Sequence, residues 1–177
     1  AGIRDAQESR GLGDVYKRQS VLIKELIKRK ESLAFAESCT GGLLSSSITA
    51  ISGASQVFKG SIISYSNELK QSLLNVPENM IEKYGAVSEE VAKTMAINAK
   101  EKLNADWSIA ISGIAGPSGG STDKPIGLVH IAIAGPNDQI TNIKKRFGTT
   151  RNRIEIQRLS VNVCLNSLRL ILLSNSK

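Results

Sequence analysis

The sequence predicts an α/β protein in which a mixed β-sheet lies between two layers of helices. In the early part of the chain, helical segments alternate with short apolar segments, a pattern typical of strands joined by helical crossovers. Later, the strand-like segments IGLVHIAIA and QITNIKKRFG flank GPND and predict an antiparallel hairpin. A long amphipathic helix, TRNRIEIQRLSVNVCLNSLRLILL, follows the hairpin. We therefore expect a three-layer α/β/α sandwich with a mixed sheet.

The first elements are a helix, a strand, a second helix and a second strand. Apolar residues recur in VLIKELIKRK, from Val21, at the spacing of an amphipathic helix with a basic outer face. SLAFAES predicts a short strand, and Thr40 with Gly41 predicts the start of a helix that ends near Ala50. After a turn at SGAS, VFKGSIISYS predicts a strand in which Gly60 indicates a bulge or a close backbone approach.

The middle of the chain adds three helical segments and a buried strand. NELKQSLLN predicts a short helix with Asn67 as its N-cap, and breaks at VPEN and YGA flank a second short helix. Ser88 and the acidic residues after it predict the start of SEEVAKTMAINAKEKLN, since acids stabilise the positive end of a helix. ADWSIAISG then predicts a buried strand, which leads into the glycine-rich loop GIAGPSGGSTDKP.

The first nineteen residues, AGIRDAQESRGLGDVYKRQ, differ from the rest of the chain. They show neither helical nor strand periodicity and are rich in Gly, Arg and Asp, which predicts disorder. The stretch also resembles the translated adaptor sequence that contaminates some assembled reading frames. We therefore expect residues 1–19 to be a non-family, artefactual extension and residues 20–177 to form one domain.

The composition restricts the classes of function. The formal net charge of +7 suits an anionic ligand such as a phosphate ester, although solubility alone also accounts for it. We expect no membrane span, because no apolar run reaches the roughly 18–20 residues that a bilayer requires. The chain has two cysteines, Cys39 and Cys164, so we do not expect a disulfide scaffold. We expect a cytoplasmic location, where cysteines stay reduced.

The segment AESCTGG places reactive groups where a strand gives way to a helix. Ligands tend to bind beyond the carboxyl ends of strands in open α/β sheets, and the N-terminus of a helix suits a phosphate or an oxyanion. Ser38 and Thr40 can donate hydrogen bonds or, with a base nearby, attack a carbonyl. The alternative is that these hydroxyls only cap the helix.

Two further segments are candidates for the site. The loop GIAGPSGGSTDKP follows another strand end, as phosphate- or sugar-binding loops often do, but it lacks the Walker and dinucleotide-binding spacings. In SYSNELK, Ser66 and Lys70 are four residues apart and would share a helix face as a nucleophile and its base. Spacing alone instead favours Lys70 as a solvated helix lysine.

A metal site is not expected. His130 is the one histidine, and the sequence contains no HExxH or CxxC motif and no carboxylate cluster. A serine-protease type of triad would have to use His130, which lies in a strand away from every candidate loop.

Four segments together resemble the CinA C-terminal domain family, which includes bacterial nicotinamide mononucleotide deamidases. They are AESCTGG, YSNELK, YGAVSEEVA and ISGIAGPSGGSTDKPIGLVHIA, in the same order as in the family, and the resemblance extends from about residue 20 to the end. It implies an α/β/α domain that hydrolyses the carboxamide of nicotinamide mononucleotide to nicotinic acid mononucleotide and ammonia. It implies no cofactor, and a small mononucleotide as the partner.

The resemblance also implies roles for residues of the first two motifs. Ser38 would be the nucleophile, Lys70 the base, and Tyr65 would assist proton transfer. Backbone N–H groups near Thr40, Gly41 and Gly42 would hold the oxyanion, and Glu37 would orient the site. Cys39 and Ser66 remain rival nucleophiles.

The resemblance implies that the glycine-rich loop and an arginine bind the phosphate of the substrate. The loop residues are Gly116, Ser118, Gly119 and Gly120, and the arginine is Arg151, in FGTTR. Thr149 and Thr150 replace the usual Gly-Asp pair of the family, and Glu155 stands where the family has another arginine. These departures imply altered phosphate binding or a substitute role for Arg153.

Two alternative functions and one alternative packing of the final helix remain open. A catalytically silent nucleotide-binding or regulatory module is suggested by the family's link to competence and DNA damage, but intact AESCTGG and YSNELK favour activity. Nucleic-acid binding through KKRF would be nonspecific, because no recognised DNA-binding motif is present. The apolar stripe of the final helix would pack in the core or, as the less favoured alternative, in a homo-oligomer.

Overall fold

The computed structural model describes residues 17–174 and shows an α/β fold with a five-stranded sheet. The helices are α1 (residues 17–29), α2 (Leu43–Thr49), α3 (Asn67–Leu74), α4 (Glu78–Tyr84), α5 (Glu89–Lys102) and α6 (Arg153–Ser174). The strands are β1 (Leu33–Glu37), β2 (Phe58–Ile63), β3 (Trp107–Gly113), β4 (Leu128–Ala134) and β5 (Ile140–Arg146). The predicted order of helices and strands is confirmed.

The sheet is mixed, as predicted. Its strand order is β2-β1-β3-β4-β5, in which β1 pairs in parallel with both β2 and β3. The hairpin strands β4 and β5 are antiparallel to their neighbours. The predicted bulge is present in β2, because Leu33 pairs with Phe58 while Ala34 pairs with Gly60 and Lys59 is left over.

Two boundaries differ from the prediction. Residues 17–19 are helical and belong to α1, whereas disorder was predicted through residue 19; residues 1–16 of that predicted extension lie outside the described residues. Ser66, not Asn67, is the N-cap of α3: its backbone is extended, and its hydroxyl accepts a hydrogen bond from Leu69 N at 3.2 Å. Asn67 already has helical geometry, so it cannot fill that role.

The two faces of the sheet carry side chains of different size. One face presents large residues such as Phe35, Ile109 and Ile131, which pack against α1, α2 and α6. The other face is built from small residues such as Ala36 and Ala110, and it packs against α5. Small side chains let α5 approach the centre of the sheet closely. With α1, α2 and α6 on the other side, helices cover both faces.

The helix α6 is long and apolar enough to cross a membrane by length and composition. Its hydropathy is accounted for by packing, because one side of the helix is buried in the core. The buried side chains on this helix are Ile156, Ser160, Val161, Cys164, Leu165, Leu168 and Leu172. The core position that was favoured for this stripe is thus confirmed.

The connections after β1 and β2 leave the sheet in opposite directions. The chain passes from β1 to α2 on the face with large residues, and from β2 to α3 on the face with small residues. A crevice forms where neighbouring parallel strands diverge in this way, and ligands bind there in open α/β sheets. Ser38 follows β1 at this point.

Candidate active site

Ser38 and Lys70 lie side by side at the carboxyl ends of β1 and β2. Lys70 Nζ donates a hydrogen bond to Ser38 Oγ at 3.1 Å. Both residues are buried, with 8% of Ser38 and 1% of Lys70 exposed. The predicted proximity of these two motifs is therefore present in the structure, and a hydroxyl and an amine are in direct contact.

The surroundings of Lys70 are backbone carbonyls. Its ammonium group donates to the carbonyl oxygens of Ser64 at 2.8 Å and Tyr65 at 3.3 Å. Burial lowers the pKa of Lys70 from the ordinary lysine value. The expectation from spacing alone, a solvated helix lysine, is wrong, because the turn before α3 encloses the end of the side chain.

Glu37 is the N-terminal anchor of α2. Its buried carboxylate accepts hydrogen bonds from Thr40 Oγ1 at 2.7 Å, from Ser45 Oγ at 2.5 Å, and from the backbone N–H groups of Gly42, Leu44 and Ser45 at 2.9–3.0 Å. A carboxylate at a helix N-terminus satisfies otherwise unpaired donors and the positive end of the dipole. Glu37 was expected to orient the site; its oxygens are taken up by Thr40 and the start of α2, so it can do so only through this helix and not as a direct substrate ligand.

The backbone donors of the AESCTGG turn are only partly free. Gly41 N donates to Ser38 O at 3.1 Å, and Gly42 N donates to Glu37. These two N–H groups, predicted as oxyanion donors, are therefore engaged within the protein. Among residues 17–174, the N–H groups of Cys39 and Thr40 donate to no other residue, although the Cys39 N–H faces its own thiol. Cys39 lines the cleft, whereas Thr40 lies buried beside it and outside its lining.

Cys39 and Ser66, the rival nucleophiles, are less suited to attack. Burial raises the pKa of Cys39 to about 12, so its thiol stays protonated near neutral pH. Ser66 Oγ caps α3. Of the three candidates, Ser38 is the hydroxyl in contact with an amine.

A cleft of about 190 Å³ opens onto this pair. Its lining comprises Ser38, Cys39, Tyr65, Asn67, Lys70, Ala86, Val87, Ser112, Gly113, Ala115 and Arg153. Asn67 was not predicted as a lining residue, although it lies inside YSNELK, and neither was the turn before α5. Ser112 was also missed; its hydroxyl donates to Ala86 O at 2.7 Å and fixes that turn against β3.

Arg153, at the start of α6, reaches across the cleft. Its guanidinium donates to Gly116 O at 2.9 Å and to Tyr65 Oη at 2.6 Å. Arg151, the predicted phosphate ligand, is exposed, donates to Phe147 O and is not part of the cleft lining. Arg153, the substitute that the sequence departures implied, therefore lies in the cleft in place of Arg151.

The departure at Glu155 has a structural explanation. Asn152 N donates to Glu155 Oε2 at 2.9 Å, and Glu155 N donates to Asn152 Oδ1 at 3.0 Å. This reciprocal pair is a capping box that closes the N-terminus of α6. Glu155 thus fixes the start of the helix from which Arg153 projects. Nothing in the structure explains Thr149 and Thr150.

The glycine-rich loop contributes to the cleft mainly through its base. Gly116 presents its carbonyl to Arg153, whereas Ser118, Gly119 and Gly120 are exposed and outside the cleft lining. At its far end, Lys124 Nζ donates to the carbonyls of Tyr84 and Val87, which ties the loop to the turn after α4. The assignment of these loop residues to the phosphate stays a prediction.

His130 lies on β4 opposite Ser112 and is not part of the cleft lining. Burial is the largest of the effects that lower the pKa of His130, and nearby Lys144 adds to it. Within the described part of the chain, no group of three or more His, Cys, Asp or Glu side chains is arranged to hold a metal ion.

Comparison with known proteins agrees with this architecture. The model of the CinA C-terminal domain family matches residues 15–172. A CinA-like protein from Prochlorococcus marinus subsp. pastoris (strain CCMP1986 / NIES-2087 / MED4) is 84% identical over 158 residues, which are 89% of this chain and 36% of that protein. A CinA-like protein from Synechococcus sp. (strain RCC307) is 51% identical over 151 residues, 85% of this chain and 36% of that protein. The chain thus spans just over a third of the length of these curated relatives.

Solved structures share the fold over most of the chain. The competence/damage inducible protein CihA from Agrobacterium tumefaciens has a TM-score of 0.86 and 34% identity, over 90% of this chain and 95% of that one. A competence-damaged protein (CinA) superfamily protein from Escherichia coli has a TM-score of 0.82 and 33% identity, over 90% of each chain. The sheet with its crevice and the extent of these matches lead to one conclusion: the chain belongs to the CinA C-terminal domain family.

Proposed function

We propose that this domain is an amidase that hydrolyses the carboxamide of nicotinamide mononucleotide, with Ser38 as the nucleophile and Lys70 as the base. The observation that carries the proposal is the hydrogen bond of 3.1 Å between Lys70 Nζ and Ser38 Oγ in a cleft. A hydroxyl needs an adjacent base to attack an amide, and a desolvated lysine can serve as one. The family resemblance supplies the choice of substrate.

Acylation begins with proton transfer. Neutral Lys70 takes the proton of Ser38 as Oγ bonds to the carboxamide carbon, and the carbonyl oxygen becomes an oxyanion. The N–H groups of Cys39 and Thr40 are the proposed donors to that oxyanion. The protonated lysine then gives its proton to the departing nitrogen, and the C–N bond breaks to release ammonia.

Deacylation repeats the same chemistry with water. Lys70 takes a proton from water as the water oxygen bonds to the acyl carbon, and it returns the proton to Ser38 Oγ as the ester bond breaks. The products are nicotinic acid mononucleotide and the free enzyme. In this scheme Tyr65 acts indirectly, because its hydroxyl accepts from Arg153 and holds that guanidinium in the cleft.

Arg153 is the proposed contact for the phosphate. A guanidinium is fixed in charge and matches phosphate oxygens with paired donors. Arg153 is the arginine that lines the cleft, whereas Arg151 is turned to Phe147. The loop residues Ser118, Gly119 and Gly120 are proposed as further phosphate contacts.

Ammonia release from nicotinamide mononucleotide by the purified full chain tests the proposal. Ser38→Ala and Lys70→Met should each lower kcat by at least about 10³-fold, because a nucleophile and its base act as a unit. Cys39→Ala is the matched control at the neighbouring position and should retain most of the turnover. Circular dichroism and thermal unfolding verify that each variant is folded.

The other outcomes are equally informative. Undiminished turnover in Ser38→Ala would exclude Ser38 as the nucleophile. A folded parent that binds nicotinamide mononucleotide without releasing ammonia would refute the amidase and favour a silent binding module.

A further inference from the structure

An amide side chain of α6 contacts the turn that carries Ser38. Gln157 Nε2 donates a hydrogen bond to the carbonyl oxygen of Cys39 at 2.7 Å. Gln157 is half-buried and lies one helical turn after Arg153, so both residues project from the same side of α6. The proposed mechanism does not use this contact.

The hydrogen bond fixes the orientation of one peptide unit. In a trans peptide the C=O of Cys39 and the N–H of Thr40 point in opposite directions. Holding the carbonyl toward Gln157 therefore turns the Thr40 N–H away from α6. Helices α6 and α3 pack on opposite faces of the sheet, and Lys70 of α3 contacts Ser38.

The same peptide unit is also held at its other end. The side chain of Thr40 donates to the buried carboxylate of Glu37 at 2.7 Å, so the residue cannot turn freely. The N–H groups of Gly41 and Gly42 are already paired. Among the described residues, the Thr40 N–H is thus an unpaired donor beside the nucleophile whose direction is fixed at both ends.

We propose that Gln157 is a positioning residue: it aims the Thr40 N–H at the oxyanion by holding the Cys39 carbonyl. The inference rests on the proposed amidase function and deepens it. An oxyanion donor acts on the transition state more than on the bound substrate, so loss of its orientation lowers kcat and leaves KM unchanged.

The experiment compares Gln157→Leu and Gln157→Asn with the parent. The first variant removes the amide, and the second withdraws it by one methylene while keeping its polarity. Asn162→Leu is the matched control, because it removes an amide from the same helix without touching the turn. We measure kcat and KM for ammonia release, and the affinity of an analogue in which an aldehyde replaces the carboxamide.

The aldehyde analogue isolates the oxyanion. Addition of Ser38 Oγ to the aldehyde carbon forms a hemiacetal, and its oxygen occupies the place of the oxyanion. Both Gln157 variants should lower kcat about 10- to 100-fold with KM within about twofold of the parent. Affinity for the aldehyde should fall by the same factor as kcat, whereas affinity for nicotinic acid mononucleotide should not change.

Two results would overturn the inference, and they are distinguishable. An active parent with unchanged kcat in both folded variants, or with a changed KM alone, would reject the role of Gln157 and leave the amidase intact. A folded parent without turnover would reject the amidase and this inference together. If Gln157→Leu fails to fold, the kinetics of Gln157→Asn alone test the positioning role of Gln157.

Discussion

At the scale of single residues, the site depends on a lysine that is kept away from water. Lys70 is 1% exposed, and its amine contacts carbonyls and one hydroxyl rather than a carboxylate. Among residues 17–174, no acidic side chain forms a salt bridge with it. Burial without a contacting carboxylate favours the neutral amine, which is the form that accepts a proton from Ser38.

The rate of the proposed reaction should therefore rise with pH. Below the lowered pKa of Lys70, the neutral fraction falls about tenfold for each pH unit, so kcat/KM should fall with a slope of one. Above that pKa the rate should reach a plateau, and this should occur below the ordinary lysine value of 10.5. A profile of ammonia release against pH measures the inflection, and a rate that falls as pH rises would contradict Lys70 as the base.

The same shift makes stability depend on pH. The folded-state pKa of Lys70 is lower than its unfolded value of about 10.5, so between the two values the unfolded chain binds more protons. The free energy of unfolding contributed by Lys70 should therefore increase as pH rises through this interval. Urea unfolding of the parent and of Lys70→Met across the interval should show a weaker pH dependence in the variant. Equal slopes would show that Lys70 does not carry the dependence.

At the scale of elements, α2 is organised by one carboxylate. The helix starts at Leu43 after glycines, and Gly42 provides no side-chain cap. Glu37, at the end of the preceding strand, accepts the hydrogen bonds that an N-cap side chain would accept. The strand and the helix are thus joined by the residue next to the nucleophile.

Glu37→Gln should destabilise the fold by about 2–4 kcal/mol, because an amide nitrogen cannot accept from the N–H groups of α2 and the negative charge at its N-terminus is lost. Urea unfolding measures the change. Glu82→Gln, an exposed substitution of the same kind on α4, should change stability by less than about 0.5 kcal/mol. Similar unfolding midpoints for the two variants would show that the carboxylate of Glu37 is not the anchor of α2.

Helices and strands were predictable because their apolar periodicity is local. The positions of Glu37, Lys70 and Arg153 in the site were not predictable from periodicity or spacing, because they depend on contacts between segments distant in the sequence; the family resemblance supplied the roles expected of them. Lys70 and Ser38 are 32 positions apart, and Arg153 and Tyr65 are 88 apart. Spacing within YSNELK placed Lys70 on an ordinary helix surface, and only the folding of β2 beside β1 buries it.

At the scale of the whole molecule, the sheet separates two kinds of packing. Ile109 and Ala110 are neighbours on β3 and are both fully buried, yet they point to opposite faces. Ile109 packs among large side chains, whereas Ala110 faces α5, whose own contact residues include Ala92 and Ala96. The close approach of α5 also brings the turn before it, with Ala86, to the cleft.

This difference predicts unequal tolerance to added volume at adjacent positions. Ala110→Leu must displace α5 or strain its own side chain, and we expect the free energy of unfolding to fall by about 1–3 kcal/mol. Ile109→Leu conserves volume on the other face and should cost less than about 1.5 kcal/mol. Urea unfolding of both variants provides the comparison, with ammonia release measured alongside because a displaced α5 would carry Ala86 away from the cleft. A smaller loss of stability in Ala110→Leu than in Ile109→Leu would show that α5 can move without cost. The small residues of this face would then not determine the position of the turn with Ala86.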